Sequence, residues 1–285
     1  MPSRSGRRLH ITHRTGYRYA DIVDASFNEV RMTPLSVDGQ FLISHSLDVQ
    51  PMAAVQPYRD YWGAHVEAFD VHVPHRLLEV VAISTVDTPP LPDYRPGSTW
   101  ADIDGARAQD ELAEYLAATD YVDIASSDAE RAPIVVSMRA AATPEDAALI
   151  AVARVRERIT YTSGATDVTT TAAEAWASGL GVCQDFTHTT LSLLRAAGIP
   201  ARYVSGYLHT EEPALGRTVI GESHAWVEYW DAGWHAVDPT NDRAVGSAHV
   251  IVARGRDYAD VPPLKGIYAG GQSEGLGVSV EITQL

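Results

Sequence analysis

The feature that most restricts this chain is a change of hydrophobic period part-way along it. Up to about residue 87 the apolar residues alternate, and no helical period of useful length occurs. Leu9, Ile11, His13, Thr15, Tyr17 and Tyr19 fall on one face of a strand. Residues 1–8 before them read as a frayed, basic tail. Further strands are predicted at Phe41–Val49, His65–Val73 and Leu77–Val86, separated by Asp38-Gly39, Pro51 and Pro74. Pro89, Pro90, Pro92, Pro96 and Gly97 then crowd one stretch, as in a linker.

Beyond that stretch the period turns helical and later returns to alternation. Asp110–Ala118 is short and amphipathic. Thr143-Pro144-Glu145-Asp146 combines an N-cap, a proline in the first turn and acidic residues there, predicting a helix to about Arg158. Thr171 and Glu174 have the spacing of a capping box. Cys183 opens another helix, which Gly198 and Pro200 end. Strands are predicted at Ala201–Leu208, Ser223–Trp230, Trp234–Asp238, Val250–Ala253 and Gly277–Thr283. Helices first and sheet second is an α+β order, not an alternating βαβ one. The expected organisation is a β-rich domain over 1–90, a linker over 91–105 and a helix-then-sheet domain over 106–285.

Composition narrows the function. Of 285 residues, 37 are acidic and 22 are lysine or arginine, giving a net charge of -15. A field of that sign repels phosphate backbones and anionic lipid, so nucleic acid is not an expected partner. No apolar run approaches the ~18 residues of a membrane span, so a membrane is not expected either. Cys183 is the single cysteine, which excludes an intramolecular disulfide and a multi-cysteine zinc site. Arg4, Arg7 and Arg8 precede no apolar stretch, so no secretory signal is read and a cytoplasmic location is expected. The pairs His10/His13 and His72/His75 lie on β segments at incidental spacing, and no acidic loop reads as a calcium site. Neither metal nor cofactor is expected.

Three residues form a chemical set. Cys183 starts a helix, where unpaired N–H groups favour a thiolate and can stabilise an oxyanion; a buried structural cysteine is the alternative. His224 lies on the alternating segment Ser223–Trp230, sharing a face with Trp226, Glu228 and Trp230. Asp231-Ala232-Gly233 reads as a hairpin loop. If the loop has three residues, Trp230 pairs with Trp234, Asp238 lies diagonally beside His224, and His235 faces away. A two-residue loop reverses the parity and puts Asp238 on the other face. Nucleophile, base and orienting acid are then Cys183, His224 and Asp238.

The wording around these residues resembles a known family. Gly181-Val182-Cys183-Gln184-Asp185-Phe186, with Leu194-Arg195-Ala196-Ala197-Gly198-Ile199-Pro200-Ala201-Arg202, is similar to the cysteine segment of the transglutaminase-like superfamily. Ser223-His224-Ala225-Trp226-Val227-Glu228 resembles its histidine strand. Gly233-Trp234-His235-Ala236-Val237-Asp238-Pro239-Thr240 resembles its aspartate strand. Asn28–Pro34, Asp60-Tyr61-Trp62-Gly63 and Gly255–Pro263 resemble a bacterial branch with an amino-terminal β domain, although Ala64 stands where asparagine is expected.

The resemblance implies a papain-like catalytic domain over 106–285, helices packed on an antiparallel sheet, with the triad roles on Cys183, His224 and Asp238. It implies amide chemistry on a peptide or protein substrate through a thioester on Cys183. Water as acceptor makes a peptidase or amidase, the outcome expected here, and an amine makes a protein-glutamine transglutaminase. A non-catalytic peptide-binding module is a further alternative. Trp226, Tyr258 and Asp185 are the candidate substrate-binding residues, and Gly270-Gly271 reads as a turn.

Overall fold

The computed structural model describes residues 6–91, 97–125, 128–211, 215–221, 223–270, 272–275 and 277–285. Up to residue 91 the described residues hold strands and no helix. These are β1 (Arg7–Val23), β2 (Ala25–Val30), β3 (Phe41–Gln50), β4 (Val55–Arg59), β5 (His65–Val71) and β6 (His75–Thr88). Leu9, Ile11, His13 and Thr15 are all buried, so the predicted strand face is the inner one. The basic stretch is not frayed throughout. Arg7 and Arg8 belong to β1, where Arg7 donates its N–H to the Thr88 hydroxyl and Arg8 grips Asp87 through two bonds of 2.7 and 2.8 Å. The proline-rich stretch and the Gly270-Gly271 turn lie partly outside the described residues.

The helical stretch comprises α1 (Trp100–Ile103), α2 (Ala106–Glu111), α3 (Ala132–Arg139), α4 (Pro144–Arg158), α5 (Ala172–Ser178) and α6 (Cys183–Ala196). The predicted Asp110–Ala118 helix is broken: α2 stops at Glu111 and a separate 3-10 turn covers Ala113–Tyr115. Tertiary packing accounts for the break, because the Tyr115 ring lodges between Trp62 and Trp234, at 5.7 and 5.1 Å. The other helix starts follow their sequence signals. Thr143 accepts the Asp146 N–H, and Thr171 with Glu174 completes a capping box.

The remaining strands are β7 (Thr160–Tyr161), β8 (Leu180–Gly181), β9 (Ala201–Leu208), β10 (Thr218–Gly221), β11 (His224–Trp230), β12 (Trp234–Asp238), β13 (Arg243–Ala244), β14 (His249–Gly255), β15 (Leu264–Ala269), β16 (Ser273–Gly275) and β17 (Ser279–Gln284). The order β13-β12-β11-β9-β14 forms an antiparallel sheet against which α6 packs. The amino-terminal strands form two more sheets, β10-β17-β1-β6-β3 and β15-β2-β5-β4. Both recruit strands from the far end of the chain: β17 pairs with β1, placing Ile282 opposite Ile11, and β15 pairs with β2. Val30, Met32, Phe69, Leu78 and Val80 fill the space between these two sheets. Leu9, Ile11, Val86, Val280 and Ile282 join a second core with α4, α6 and β9, so that core runs under both halves of the chain. Among the described residues no helix is long and apolar enough to cross a membrane.

Candidate active site

The site begins where α6 begins. Gly179 ends α5 in the left-handed conformation, at φ 70°. Val182 is extended, and its N–H is accepted at 2.7 Å by the carboxylate of Asp185, which also receives the Thr166 hydroxyl at 2.6 Å. Gly181 has no room for a side chain, since an added Cβ would lie 2.6 Å from Asp185 Cβ. This tight start fixes Cys183 as the first residue of a helix that is buried from Gln184 to Arg195. Burial raises the Asp185 carboxyl, although the Thr166 and Val182 bonds oppose it.

The histidine and the aspartate come from the adjoining hairpin. Trp230 pairs with Trp234 and Tyr229 with His235, so the loop has three residues. His235 stacks on Tyr229, on the other face from His224. His224 Nε2 lies 2.8 Å from Asp238 Oδ2. The sulfur of Cys183 is 3.9 Å from the Ser223 carbonyl oxygen, one residue from His224. With Nε2 donating to Asp238, Nδ1 is the imidazole nitrogen free to serve the sulfur.

Asp238 is fully buried and surrounded by donors. Oδ1 accepts the main-chain N–H groups of Thr240 and Asn241 at 3.0 and 3.1 Å. Oδ2 also accepts Asn241 Nδ2 at 2.9 Å and faces His249 Nε2 at 3.3 Å. Burial alone would raise this carboxyl, but the bonds from His224 and His249 hold it far below the usual carboxylate range. Burial likewise works to lower His224. The hydrogen bond to Asp238 and the interaction with Cys183 outweigh it and lift the imidazole to about 9. His249 goes the other way: burial lowers it despite Asp238, and the His224 charge adds to that effect.

His249 and Asn241 are the site residues that sequence reasoning missed. Asn241 sits three residues beyond Asp238, where an asparagine closing a turn on the preceding carboxylate is a readable signal. His249 arrives from β14, across β9 from β11, and no local spacing announces it. By distance alone His224, Asp238 and His249 could surround a cation, with ligand atoms within 4.8 Å of one another. The hydrogen bonds argue otherwise. His249 Nδ1 accepts the Gly246 N–H at 3.3 Å, so the ring proton sits on Nε2, the atom that would have to ligate.

The candidate substrate contacts separate. Tyr258 lines the same cleft as Cys183 and His224, and its N–H donates to His188 on α6 at 3.2 Å. Trp226 is fully buried and lies behind the site, 6.0 Å from the His224 ring and 5.2 Å from that of His249. Asp185 is buried at the helix start, as described above. Ala64, at the position where the resemblance suggests asparagine, is buried in the core, and its N–H donates to Asp60.

A thiol at a helix start beside an imidazole held by a buried carboxylate defines a papain-like α+β protein. The chain belongs to the transglutaminase-like superfamily, a group of typically cysteine enzymes. It matches that superfamily's core over residues 133–239 and the bacterial transglutaminase-like N-terminal region over residues 9–87. It is 42% identical over 281 residues to an uncharacterized protein of Mycobacterium leprae, covering 98% of this chain and 99% of that one. A shorter segment of 65 residues is 45% identical to a protein-glutamine gamma-glutamyltransferase of Pseudomonas aeruginosa, covering 21% of this chain and 10% of that protein. The fold is that of a crystal structure described as "a Putative Cysteine Protease from Cytophaga hutchinsonii". The TM-score is 0.79 at 21% identity, covering 98% of this chain and 91% of that one.

Proposed function

We propose that this protein is a thiol enzyme that cleaves amide bonds of a peptide or protein through a thioester on Cys183, with water as the acceptor. The observation that carries the reading is the 2.8 Å bond from His224 Nε2 to the buried Asp238. It leaves Nδ1 for the thiol and stabilises the imidazolium. The Cys183 sulfur attacks the carbonyl carbon, and the N–H groups of Cys183 and Gln184 at the start of α6 receive the developing oxyanion, those of Asp185 and Phe186 being bonded to the Val182 carbonyl. The imidazolium gives its Nδ1 proton to the leaving amine as the C–N bond breaks. Water then attacks the thioester, His224 takes its proton, and the acid and thiol are released.

Hydrolysis is supported by the breadth of the cleft, about 1210 Å³, which admits water to the thioester. The transglutaminase alternative draws on the 65-residue similarity to a gamma-glutamyltransferase. A peptide library incubated with and without a primary amine, read by mass spectrometry, separates the two. Products one water heavier in sum support hydrolysis. Amine-bearing products that replace them make the protein a transferase. An unchanged library, with an unreactive Cys183, makes it a binding module.

A further inference from the structure

The helix that begins with Cys183 carries a second imidazole. His188 lies about 7.5 Å further along α6, at ~1.5 Å per residue. It is fully buried, and the reaction described above does not use it. Its Nε2 accepts the Tyr258 N–H at 3.2 Å, so the ring proton sits on Nδ1. Nδ1 is buried and stops short of a full hydrogen bond, with the Thr170 carbonyl the acceptor within its reach. Burial, helped by the charge of Arg195, lowers this imidazole to about 3. The ring is therefore neutral at every working pH, and Nε2 stays an acceptor.

Four rings close into a circuit around this contact. His188 lies 5.2 Å from Tyr121 and 5.2 Å from Tyr203, and Tyr258 completes the circuit at 6.4 Å from Tyr121 and 6.5 Å from Tyr203. The three tyrosines line the cleft that holds Cys183 and His224, and the buried His188 stands behind them. They come from separate stretches: Tyr121 precedes α3, Tyr203 lies on β9, and Tyr258 opens a 3-10 turn over Tyr258–Asp260. Arg195, two turns beyond His188 on α6, donates to the Arg256 carbonyl. The helix that bears the nucleophile thus holds this segment at two points, by a guanidinium at Arg256 and by a neutral imidazole at Tyr258. Ala259, Pro262 and Pro263 continue the cleft lining, so the seating of the turn sets where that wall stands relative to the sulfur.

We propose that His188 is a positioning residue: by accepting the Tyr258 N–H it fixes the tyrosine wall relative to Cys183, and the wall, not His188, touches the substrate. The inference rests on Cys183 being the nucleophile, and it goes further by giving a role to a buried group that the reaction leaves idle. It separates two properties of the site. The reactivity of the thiol depends on His224 and Asp238, and the capture of a peptide depends on His188 and the turn it holds. Without the acceptor, the Tyr258 N–H is left unpaired and the turn moves to satisfy it.

The test compares two reagents on the full-length protein. Iodoacetamide is too small to need the wall, whereas dipeptidyl acyloxymethyl ketones, in which the thiolate displaces the acyloxy group as a carboxylate, must lie against it. Labelling of Cys183 is followed by mass spectrometry, beside a thermal melt. His188→Phe keeps a ring and removes the acceptor, and His188→Gln returns an acceptor, Oε1, near the place of Nε2. The expected result is about a tenfold loss of labelling by the best ketone in His188→Phe, with iodoacetamide within about twofold of wild type, and recovery to within about threefold in His188→Gln. Tyr258→Pro removes the same N–H from the other partner, at the first position of the turn, where proline is tolerated. Relative to Tyr258→Ala it should show the same selective loss, and adding His188→Phe to it should cost nothing further. Where the His188 variants fail to fold, this comparison of Tyr258→Pro with Tyr258→Ala decides alone. Ketone labelling unchanged by loss of the bond, a loss shared equally by iodoacetamide, no recovery in a folded His188→Gln, or additive losses in the double variant overturns the inference and leaves the thiol-enzyme reading standing. A wild-type protein in which neither reagent labels Cys183 overturns that reading, and this inference with it.

Discussion

Asp238 accepts hydrogen bonds at both oxygens from two imidazoles, two main-chain N–H groups and an amide, with no exposure to solvent. Asp238→Asn replaces one oxygen by a donor that must face another donor. Turnover is expected to fall about 10²–10³-fold, less than the ~10⁴ of a serine triad, because a thiol ionises more readily. The same swap should cost about 1–3 kcal/mol in a denaturant titration, since a buried donor loses its acceptor. The titrations of the pair fix the pH behaviour. His224 is lifted from 6.5 to about 9, so the stability it contributes is complete below 6.5 and is lost as pH rises through about 9. Asp238 is lowered, so its contribution is complete above 3.8 and is lost only in strong acid. Activity that uses the His224 imidazolium should therefore show a basic limb near pH 9 in kcat/KM. Asp238→Asn should move that limb downward. A limb that does not respond to the substitution would separate Asp238 from the function of His224.

The β11–β12 hairpin converts one loop length into a paired histidine and aspartate. Its central residue, Ala232, has φ 57°, a conformation that suits glycine better than alanine. Ala232→Gly should stabilise the protein by about 0.5–1 kcal/mol in a thermal melt and leave turnover unchanged. Deleting Ala232 shortens the loop, reverses the parity of β12 and should abolish turnover even in molecules that still fold. This hairpin was legible in the sequence because alternation and loop length are local properties. The start of α6 at Cys183 and that of α4 after Thr143 were legible for the same reason, through caps and breakers. His249 was not legible, because β14 reaches the site only through β9, and the pairing of β9 with β14 is long-range. The strands β2 and β15 were likewise unread. They expose Phe27 and Ile267 on their outer face and so lack clean alternation.

Across the whole molecule, the carboxyl-terminal strands decide whether the amino-terminal sheets are complete. β17 gives β1 its second neighbour and β15 covers β2, so truncation before Leu264 would bare the edges of both sheets. It would also remove Val280 and Ile282 from the core that reaches α6. The truncated chain is expected to aggregate or to lose its cooperative transition, as followed by circular dichroism and light scattering. A truncated chain that melts like the full one would show that the halves fold independently.

If Cys183 is the nucleophile of an amide-cleaving enzyme, its sulfur carries the acyl half of the substrate during turnover. Acid-quenched mass spectrometry of the protein mixed with a peptide that it turns over, beside the Cys183→Ala variant, should reveal a transient acyl adduct on the fragment containing Cys183, and no adduct or turnover in the variant, which should melt within a few degrees of wild type. Turnover near the wild-type rate in Cys183→Ala would contradict it, since the chain has no second thiol to take over.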